Sequence, residues 1–569
     1  MSKTVSDIII DTLYQAGARR CYGVVGDTIN HFTDAMSRSP LQWVHVRHEE
    51  VGGFAAGGEA YVSGRLAVCA GTCGPGSLHF VNGLFETHRN RSPVVLIASQ
   101  VDSRQTGVGF PQDVDQKKIY EQCSVFCEYL NHPEEARRLT AMAAQAALNK
   151  GGVAVLIVHG DTFPTKVEQD QAFKTRQFHP RVLPSHEELE AVIEILNSGK
   201  KVTIYAGIGA GAGREEVITL ADRLKAPIVH TSRAKDTIEY DNPFNVGMTG
   251  VFGLVSGFHA VMECDVLLLL GCDFAWGQFY PDKATIIQID TNATHIGRRH
   301  PIDLGAVGDV ASTAGLLASR VEARSDDKWL KNCLKLHEKA VASEYKDARH
   351  ESPIHPQYLA ELIDKHADED TVFTGDGGSC MVWLLRHIAA NGKRRMLTSL
   401  RHGTMANAYP QGLGVAKAYP DRQVIALCGD GGMTMLLGDL LTLVQEKIPL
   451  KIIVVNNSSL GFVELEQKVE GLLDNYTTLE NPDFGAMAKA MGIFGKRVEQ
   501  GADLEAAVEE ILAHPGPALL DVITNREELV MPPHIEPSMI TGTLLYASKA
   551  MLNGRMNDVV NLVKHNYLN

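Results

Sequence analysis

The chain has 569 residues and a mass of 62.0 kDa, with 44% hydrophobic and 21% charged residues. That is length for about two to four domains with large buried cores, and it excludes a disordered chain or a disulfide-stapled mini-protein. Its 54 Lys plus Arg against 68 Asp plus Glu give a net charge of −14, which repels nucleic acid without a basic patch; the longest strongly apolar run, Val266 to Leu270, is far short of a bilayer span.

At the start of the chain, Asp7 and Asp11 interrupt any signal-peptide-like apolar stretch, so a cytoplasmic protein is expected. Short β-branched apolar runs then alternate with amphipathic segments, which predicts an α/β fold of parallel sheets covered by helices. Residues 1–163 form the first unit, with strands predicted at Cys21–Val25, Trp43–His48, Leu66–Ala70, Val94–Ala98 and Val153–Val158. Residues 164–185, polar and punctuated by Pro164, Pro180 and Pro184, read as a linker. The second unit, 186–330, opens with a helix over His186–Asn197. Strand Lys201–Ala206, a glycine-dense turn and helix Arg214–Leu224 come next, then strands at Ile228–His230, Val266–Leu270 and Ile286–Asp290.

A charged helix over about 326–350 supplies the connection, assigned to 331–354, and leads to a third unit, 355–530. Its clearest strands are Val424–Cys428 and Leu450–Asn456, with a helix predicted over Met433–Glu446. Residues 531–569 form a separate tail. Within it Thr543–Leu568 places Leu552, Met556, Val559, Val560, Val563 and Tyr567 at helical spacing, with Lys549, Arg555, Asp558 and Lys564 on other faces and Gly554 as a weak point. The ten cysteines read as reduced core thiols. The pairs Cys69/Cys73 and Cys123/Cys127 lack the repeated CxxC or paired histidines of a zinc site.

The strongest chemical signal is strand, Gly429-Asp430-Gly431-Gly432, helix, strand, Asn456-Asn457. In a parallel βαβ unit both strand ends emerge on one edge, so Asp430 and Asn457 can converge there. Their oxygens suit a hard cation such as Mg²⁺, and the glycines leave amide hydrogens free for a phosphate. GDG alone is an ordinary turn; the pairing at this spacing is what carries the signal. Similarly, Glu49 alone is an ordinary first-turn acid, and Gly207-Ile-Gly-Ala-Gly-Ala-Gly213 alone is an incomplete dinucleotide fingerprint, because no acid ends the next strand near His230.

The GDG motif, twenty-four intervening residues and the Asn pair resemble the signature of thiamine-diphosphate enzymes. Arg47-His48-Glu49-Glu50-Val51, Gly74-Pro75-Gly76, Tyr240-Asp241-Asn242-Pro243, Gly247-Met-Thr-Gly250 and Gln288-Ile-Asp290 are similar to the acetolactate synthase–pyruvate oxidase family, on its quinone-reducing pyruvate dehydrogenase side. The resemblance implies pyrimidine-binding, FAD-binding and diphosphate-binding domains, with thiamine diphosphate, Mg²⁺ and FAD as cofactors. Asp430, Asn457 and Ser459 would ligate the metal, with Gly429, Gly431, Gly432, Leu460, Gly461 and Val463 around the diphosphate. Gly403, Thr404 and Met405 would hold the pyrimidine, and Glu49 would activate it as the catalytic acid. Phe462, Val463 and Glu466 would form the active-site wall and electron-transfer aromatic, with Gln112 on the substrate side. Gly207, Gly209, Arg233, Thr249, Gly250, Val251, Phe252, Cys272 and Asp290 would line the flavin site.

The activity so implied is oxidative decarboxylation of pyruvate to acetate and CO₂, by way of a ylide and a hydroxyethyl-enamine, with electrons passing through FAD to a quinone. A homodimer or homotetramer is implied, together with reversible binding of the tail to the inner face of the cell membrane. Pro111, where a phenylalanine is expected, and Gly377, where a valine is expected, depart from this pattern. They leave open a carboligase or a non-oxidative decarboxylase with a structural FAD. A scaffold subunit without catalysis is disfavoured by Glu49, Asp430 and Asn457.

Overall fold

The computed structural model describes residues 3–344, 348–526, 533–534, 537–553, 555–556 and 559–560. Three six-stranded sheets follow one another along the chain, and every strand pair is parallel. The first sheet contains β1 (Arg20–Gly23), β2 (Gln42–His45), β3 (Ala67–Gly71), β4 (Val94–Gln100), β5 (Phe126–Tyr129) and β6 (Val153–His159) in the order β2-β1-β3-β4-β6-β5. The second contains β7 (Val202–Ala206), β8 (Ile228–His230), β9 (Asn245–Met248), β10 (Val266–Leu270), β11 (Thr285–Asp290) and β12 (Leu304–Val307), ordered β12-β11-β10-β7-β8-β9. The third contains β13 (Val372–Gly375), β14 (Arg395–Thr398), β15 (Val424–Gly429), β16 (Lys451–Asn456), β17 (Phe494–Val498) and β18 (Ala518–Ile523), ordered β14-β13-β15-β16-β18-β17.

The outer sheets therefore share one topology, whereas the middle sheet has the strand order of a dinucleotide-binding domain. In such open sheets ligands bind where the strand order reverses. In the third sheet that point lies between β13 and β15, and in the second between β7 and β10. The first and third domains pack through helices Glu49–Ser63 and Ala408–Ala418, whose backbones nearly touch. A Cβ at Gly414 would lie 1.9 Å from the Ala55 carbonyl oxygen and one at Gly58 2.4 Å from that of Gln411, so only glycine permits this approach.

Residues 164–185 carry no helix or strand beyond an isolated bridge from Lys166 to Thr4. The following helix starts at His186 because Ser185 and Glu188 form a capping box. Two helices differ from expectation. The one predicted over Met433–Glu446 begins earlier, at Asp430, stops at Met435 and resumes at Leu440–Gln445. The break is pinned by buried Asp439, which accepts the Arg47 and His48 N–H groups of the first domain. The charged helix is shorter, Lys328–Glu344.

The tail helix spans Pro537–Leu552, more than a turn earlier than expected. It packs on the Gly461–Val469 helix, burying Tyr546 and Ala550 together with Val559. Lys549 and Arg555, placed off the apolar face by the sequence, bind the Gly471 carbonyl (2.7 Å) and the Asp474 carboxylate (2.6 Å). Gly554, Asp558, Val563, Lys564 and Tyr567 lie outside the described residues. Among those described, no helix is long and apolar enough to cross a membrane, and all ten cysteines are free and buried.

Candidate active site

β15 ends at Gly429, and the chain turns directly into the helix that Asp430 begins. Asp430 is buried; its Oδ1 accepts the Gly431 N–H (2.9 Å) and its Oδ2 the Asn481 amide (2.8 Å). Burial pushes its carboxyl up to about 6, as expected for an acid withdrawn from water. β16 ends at Asn456, whose Oδ1 accepts the same Asn481 amide at 3.1 Å while its own amide donates to Asp521 at 2.9 Å. Asn481 thus ties the two strand ends together. Ser458 then turns the chain at φ +53, and the Asn457 Oδ1 accepts the Ser459 N–H at 3.1 Å.

Carboxylate, amide and main-chain oxygens make the donor set of a hard cation, so these residues fit Mg²⁺. The glycines beside them leave a cradle: a Cβ on Gly431 would meet Leu460 at 2.7 Å and Met405 at 3.1 Å, and one on Gly432 would lie 2.3 Å from Asp376 Oδ2. Asp376, at the end of β13, accepts the Ala408 N–H (2.8 Å) and the Gly429 N–H (3.2 Å). Complete burial pushes its carboxyl up to about 7. It anchors the metal turn to the segment that follows Met405.

That segment is held from the first domain as well. Gly403 has φ +74 and open space beside it. Thr404 takes a hydrogen bond from the Asn82 amide (3.1 Å), and His402 Nε2 lies 2.9 Å from Asn82 Oδ1. A Cβ on Gly377 would sit 2.3 Å from the Thr404 carbonyl oxygen, which explains physically why this chain has glycine there.

Glu49 opens its helix behind the N-cap His48 and is buried. Its Oε2 lies 2.9 Å from His79 Nδ1, and a Cβ on Gly76 would be 3.3 Å from its Oε1, so it faces the Gly74-Pro75-Gly76 turn. Gln112, in a left-handed turn at φ +69, meets the same turn and accepts from the Cys73 thiol at 3.1 Å. Among the described residues neither makes a hydrogen bond or ion pair with Asp430, Asn457 or Ser459. One chain therefore carries two separate groups, Glu49 with Gln112 and Asp430 with Asn457.

Phe462 and Gly461 line a pocket of about 30 Å³ with Asn457. Glu466, expected in this wall, faces solvent, as does Val463; the buried acid on that helix is Glu464, paired with Lys468 at 2.7 Å and bonded by the Ser459 hydroxyl. Helical register explains the difference, since residues 464 and 468 share a face that 466 does not.

The second ligand space is a cavity of about 710 Å³ at the reversal point of the middle sheet. Gly207, Gly209, Arg233, Thr249, Gly250, Val251, Phe252 and Asp290 line it. Cys272 does not: its side chain is fully buried in the core with Tyr205. The glycine turn lies against the next strand end, where a Gly207 Cβ would be 2.1 Å from the Gly271 carbonyl oxygen. The Thr249 hydroxyl is buried without a partner, an orphan that a ligand satisfies. Glycine turn, orphan hydroxyl and arginine-rich wall together fit a dinucleotide. Phe252 meets Phe462 edge-on, ring centroids 6.2 Å apart, so the two ligand spaces share an aromatic partition. Asn481, Asn82 and the arginines Arg89, Arg91, Arg299 and Arg401 of the cavity carry no signature of their own in the sequence; Asp376 and Arg401 stand beside Gly377 and His402, but neither pattern gives them a role.

Residues 3–119, 189–317 and 376–522 match, respectively, the N-terminal TPP binding domain, the central domain and the C-terminal TPP binding domain of thiamine pyrophosphate enzymes. The chain is 33% identical over 530 residues to the thiamine pyrophosphate-containing protein YdaP of Bacillus subtilis, covering 92% of each chain. It is 26% identical to pyruvate oxidase of Lactiplantibacillus plantarum, over 90% of this chain and 87% of that one. With the acetolactate synthase isozyme 2 large subunit of Escherichia coli it shares 28% identity, over 92% and 96%.

Proposed function

This chain belongs to the thiamine pyrophosphate enzymes, and on that premise we propose that it oxidatively decarboxylates pyruvate to acetate and CO₂, using thiamine diphosphate, Mg²⁺ and FAD, with a quinone as electron acceptor. When bound, thiamine diphosphate supplies the electron sink for CO₂ loss and FAD the two-electron acceptor. Asp430, Asn457 and the main chain near Ser459 are the metal's protein ligands, and the amides after Gly429 are positioned for the diphosphate. Gly403 to Met405 grip the pyrimidine. Glu49 would hydrogen-bond that ring and hold its proton, and its contact with His79 fixes the carboxylate's direction. Glu49 and Asp430 lie in different domains and on this reading serve opposite ends of one cofactor, and a homodimer or larger assembly that shares the site between chains is part of the proposal.

The observation that carries the redox reading is the Phe252–Phe462 contact between the dinucleotide-shaped cavity and the Asn457 pocket. An aromatic pair between the two spaces supports electron transfer between cofactors held there. For the tail we propose reversible attachment to the inner face of a membrane, where the quinone dissolves; the exposed Ile540, Leu544 and Leu552 on its outer face support this. A second reading, a carboligase with a structural FAD, is favoured by the similarity to acetolactate synthase and by Pro111 beside the exposed Phe110. Product analysis separates them: acetate formed only with a quinone analogue supports the oxidase, and acetolactate formed without an acceptor supports the carboligase.

A further inference from the structure

The wall of the 710 Å³ cavity holds more positive charge than its own acids balance. Arg91 comes from the first domain, Arg233 from the second and Arg401 from the third, and all three line it. Arg233 has no hydrogen-bond or ion-pair partner among the described residues. Arg91 meets only His295, Nη2 to Nε2 at 3.1 Å. Arg401 has one counterion, Asp273 at 3.6 Å, which Arg298 and Arg299 already bind more closely. Glu86, the buried acid whose charge Arg233 feels, is engaged by Asn90, Ser399 and Gln411.

Burial, with Arg233 and Arg91 nearby, pulls the Arg401 guanidinium down to about 10, the mark of cations crowded together without an anion. Guanidinium groups gathered in a partly dry cavity suit planar, bidentate recognition of phosphate oxygens. Gly207 to Gly213, leading into the Arg214–Leu224 helix, opens on the same cavity. Arg401 is also joined directly to His402, the start of the His402–Met405 segment, which Asn82 holds from the first domain.

We propose that Arg91, Arg233 and Arg401, one from each domain, bind the diphosphate of the dinucleotide in this cavity, and that Arg401 couples its occupancy to the thiamine loop. The proposal rests on the dinucleotide reading of the cavity given above. Ligand in the cavity neutralises Arg401 and holds Leu400–Met405 in place, so flavin and thiamine diphosphate each tighten the other's binding, as linkage requires.

The test titrates flavin-free protein with FAD, ADP and FMN, following flavin fluorescence or heat, for wild type, Arg91→Gln, Arg401→Gln, Arg401→Lys and the surface control Lys174→Gln. Each Arg→Gln change is expected to raise the FAD and ADP dissociation constants at least tenfold, with the control unchanged. Thiamine diphosphate affinity is then measured with and without saturating FAD. Wild type is expected to show at least fivefold tightening and Arg401→Gln none. FAD binding by Arg401→Gln within twofold of wild type, or unchanged coupling, overturns the proposal. If Arg401→Gln fails to fold, Arg401→Lys carries the test, since a point charge lacking the bidentate fork is expected to lose at least threefold. Wild type that binds FMN but not ADP overturns the diphosphate assignment. Wild type that binds none of the three overturns the dinucleotide reading itself.

Discussion

Asn481→Ala removes a side chain that bridges the two strand ends of the metal site. It deletes a hydrogen bond to the Asp430 carboxylate (2.8 Å) and another to the Asn456 amide oxygen (3.1 Å). The first is worth about 1.5–3 kcal/mol and the second about 1 kcal/mol when no replacement forms. Asn481 is half-buried, so water replaces part of both, and a total stability loss of about 1–2 kcal/mol is expected. The larger effect falls on metal affinity, because partners that orient a ligand typically control about 10- to 100-fold of it. Losing the Asn481 donor also raises the Asp430 carboxyl further above its already elevated value near 6. A protonated Asp430 competes with Mg²⁺, so the pH below which Mg²⁺ affinity collapses moves upward. The assay is a Mg²⁺ titration at saturating thiamine diphosphate from pH 5.5 to 8, read by intrinsic fluorescence, with thermal unfolding alongside. Mg²⁺ affinity within twofold of wild type and an unmoved pH profile would refute the assignment of Asp430 and Asn457 as a site clamped by Asn481.

Glu49→Gln keeps the shape and removes the proton control, so cofactor binding should persist while decarboxylation falls by about 10²-fold or more; near-normal turnover would sink its assigned role. Asp376, raised from 3.8 to about 7, favours the folded state most below pH 3.8, and that contribution is lost as pH climbs through 7. Over pH 5 to 7 the loss is about 2 kcal/mol. Asp376→Asn lacks this titration, so its stability relative to wild type, read by melting temperature, should rise over pH 5 to 7 as the wild type loses that contribution, and a difference that stays constant with pH would contradict it. Gly377→Val drives a side chain into the Thr404 carbonyl and should cost about 1–3 kcal/mol while weakening thiamine diphosphate binding. A melting temperature and affinity equal to wild type would show that this loop tolerates the family's valine.

Interior strands were legible because they are apolar throughout: β7, β8, β10, β15 and β16 fall within a residue or so of the sequence reading. The strands it passed over in the first two sheets, β5, β9 and β12, are all sheet edges, short and partly exposed, and therefore without a continuous apolar run. The motif Asp430 and Asn457 was readable because a parallel βαβ unit fixes both strand ends on one edge. Asn481 and Asn82 were not, since each reaches the site from another loop or domain with no local signature, and Asp376, although beside Gly377, gave no sign that it would bond the Ala408 and Gly429 amides. Glu466 was placed by motif position, and only the actual helix register shows that Glu464 faces inward. The tail reads as helical in the sequence, but its buried face was not legible: Tyr546, Ala550 and Val559 are covered while Leu552, Met556 and Val560 are exposed, because an amphipathic pattern does not say which surface it covers.

The central claim is that electrons from a 2-oxo acid pass between the two ligand spaces across the Phe252–Phe462 contact. Pyruvate added anaerobically to the purified enzyme loaded with thiamine diphosphate and Mg²⁺ tests it in one spectrum. The account predicts bleaching of the flavin absorbance and its return on adding a quinone analogue; an oxidised flavin spectrum that stays unchanged while pyruvate is consumed would contradict it.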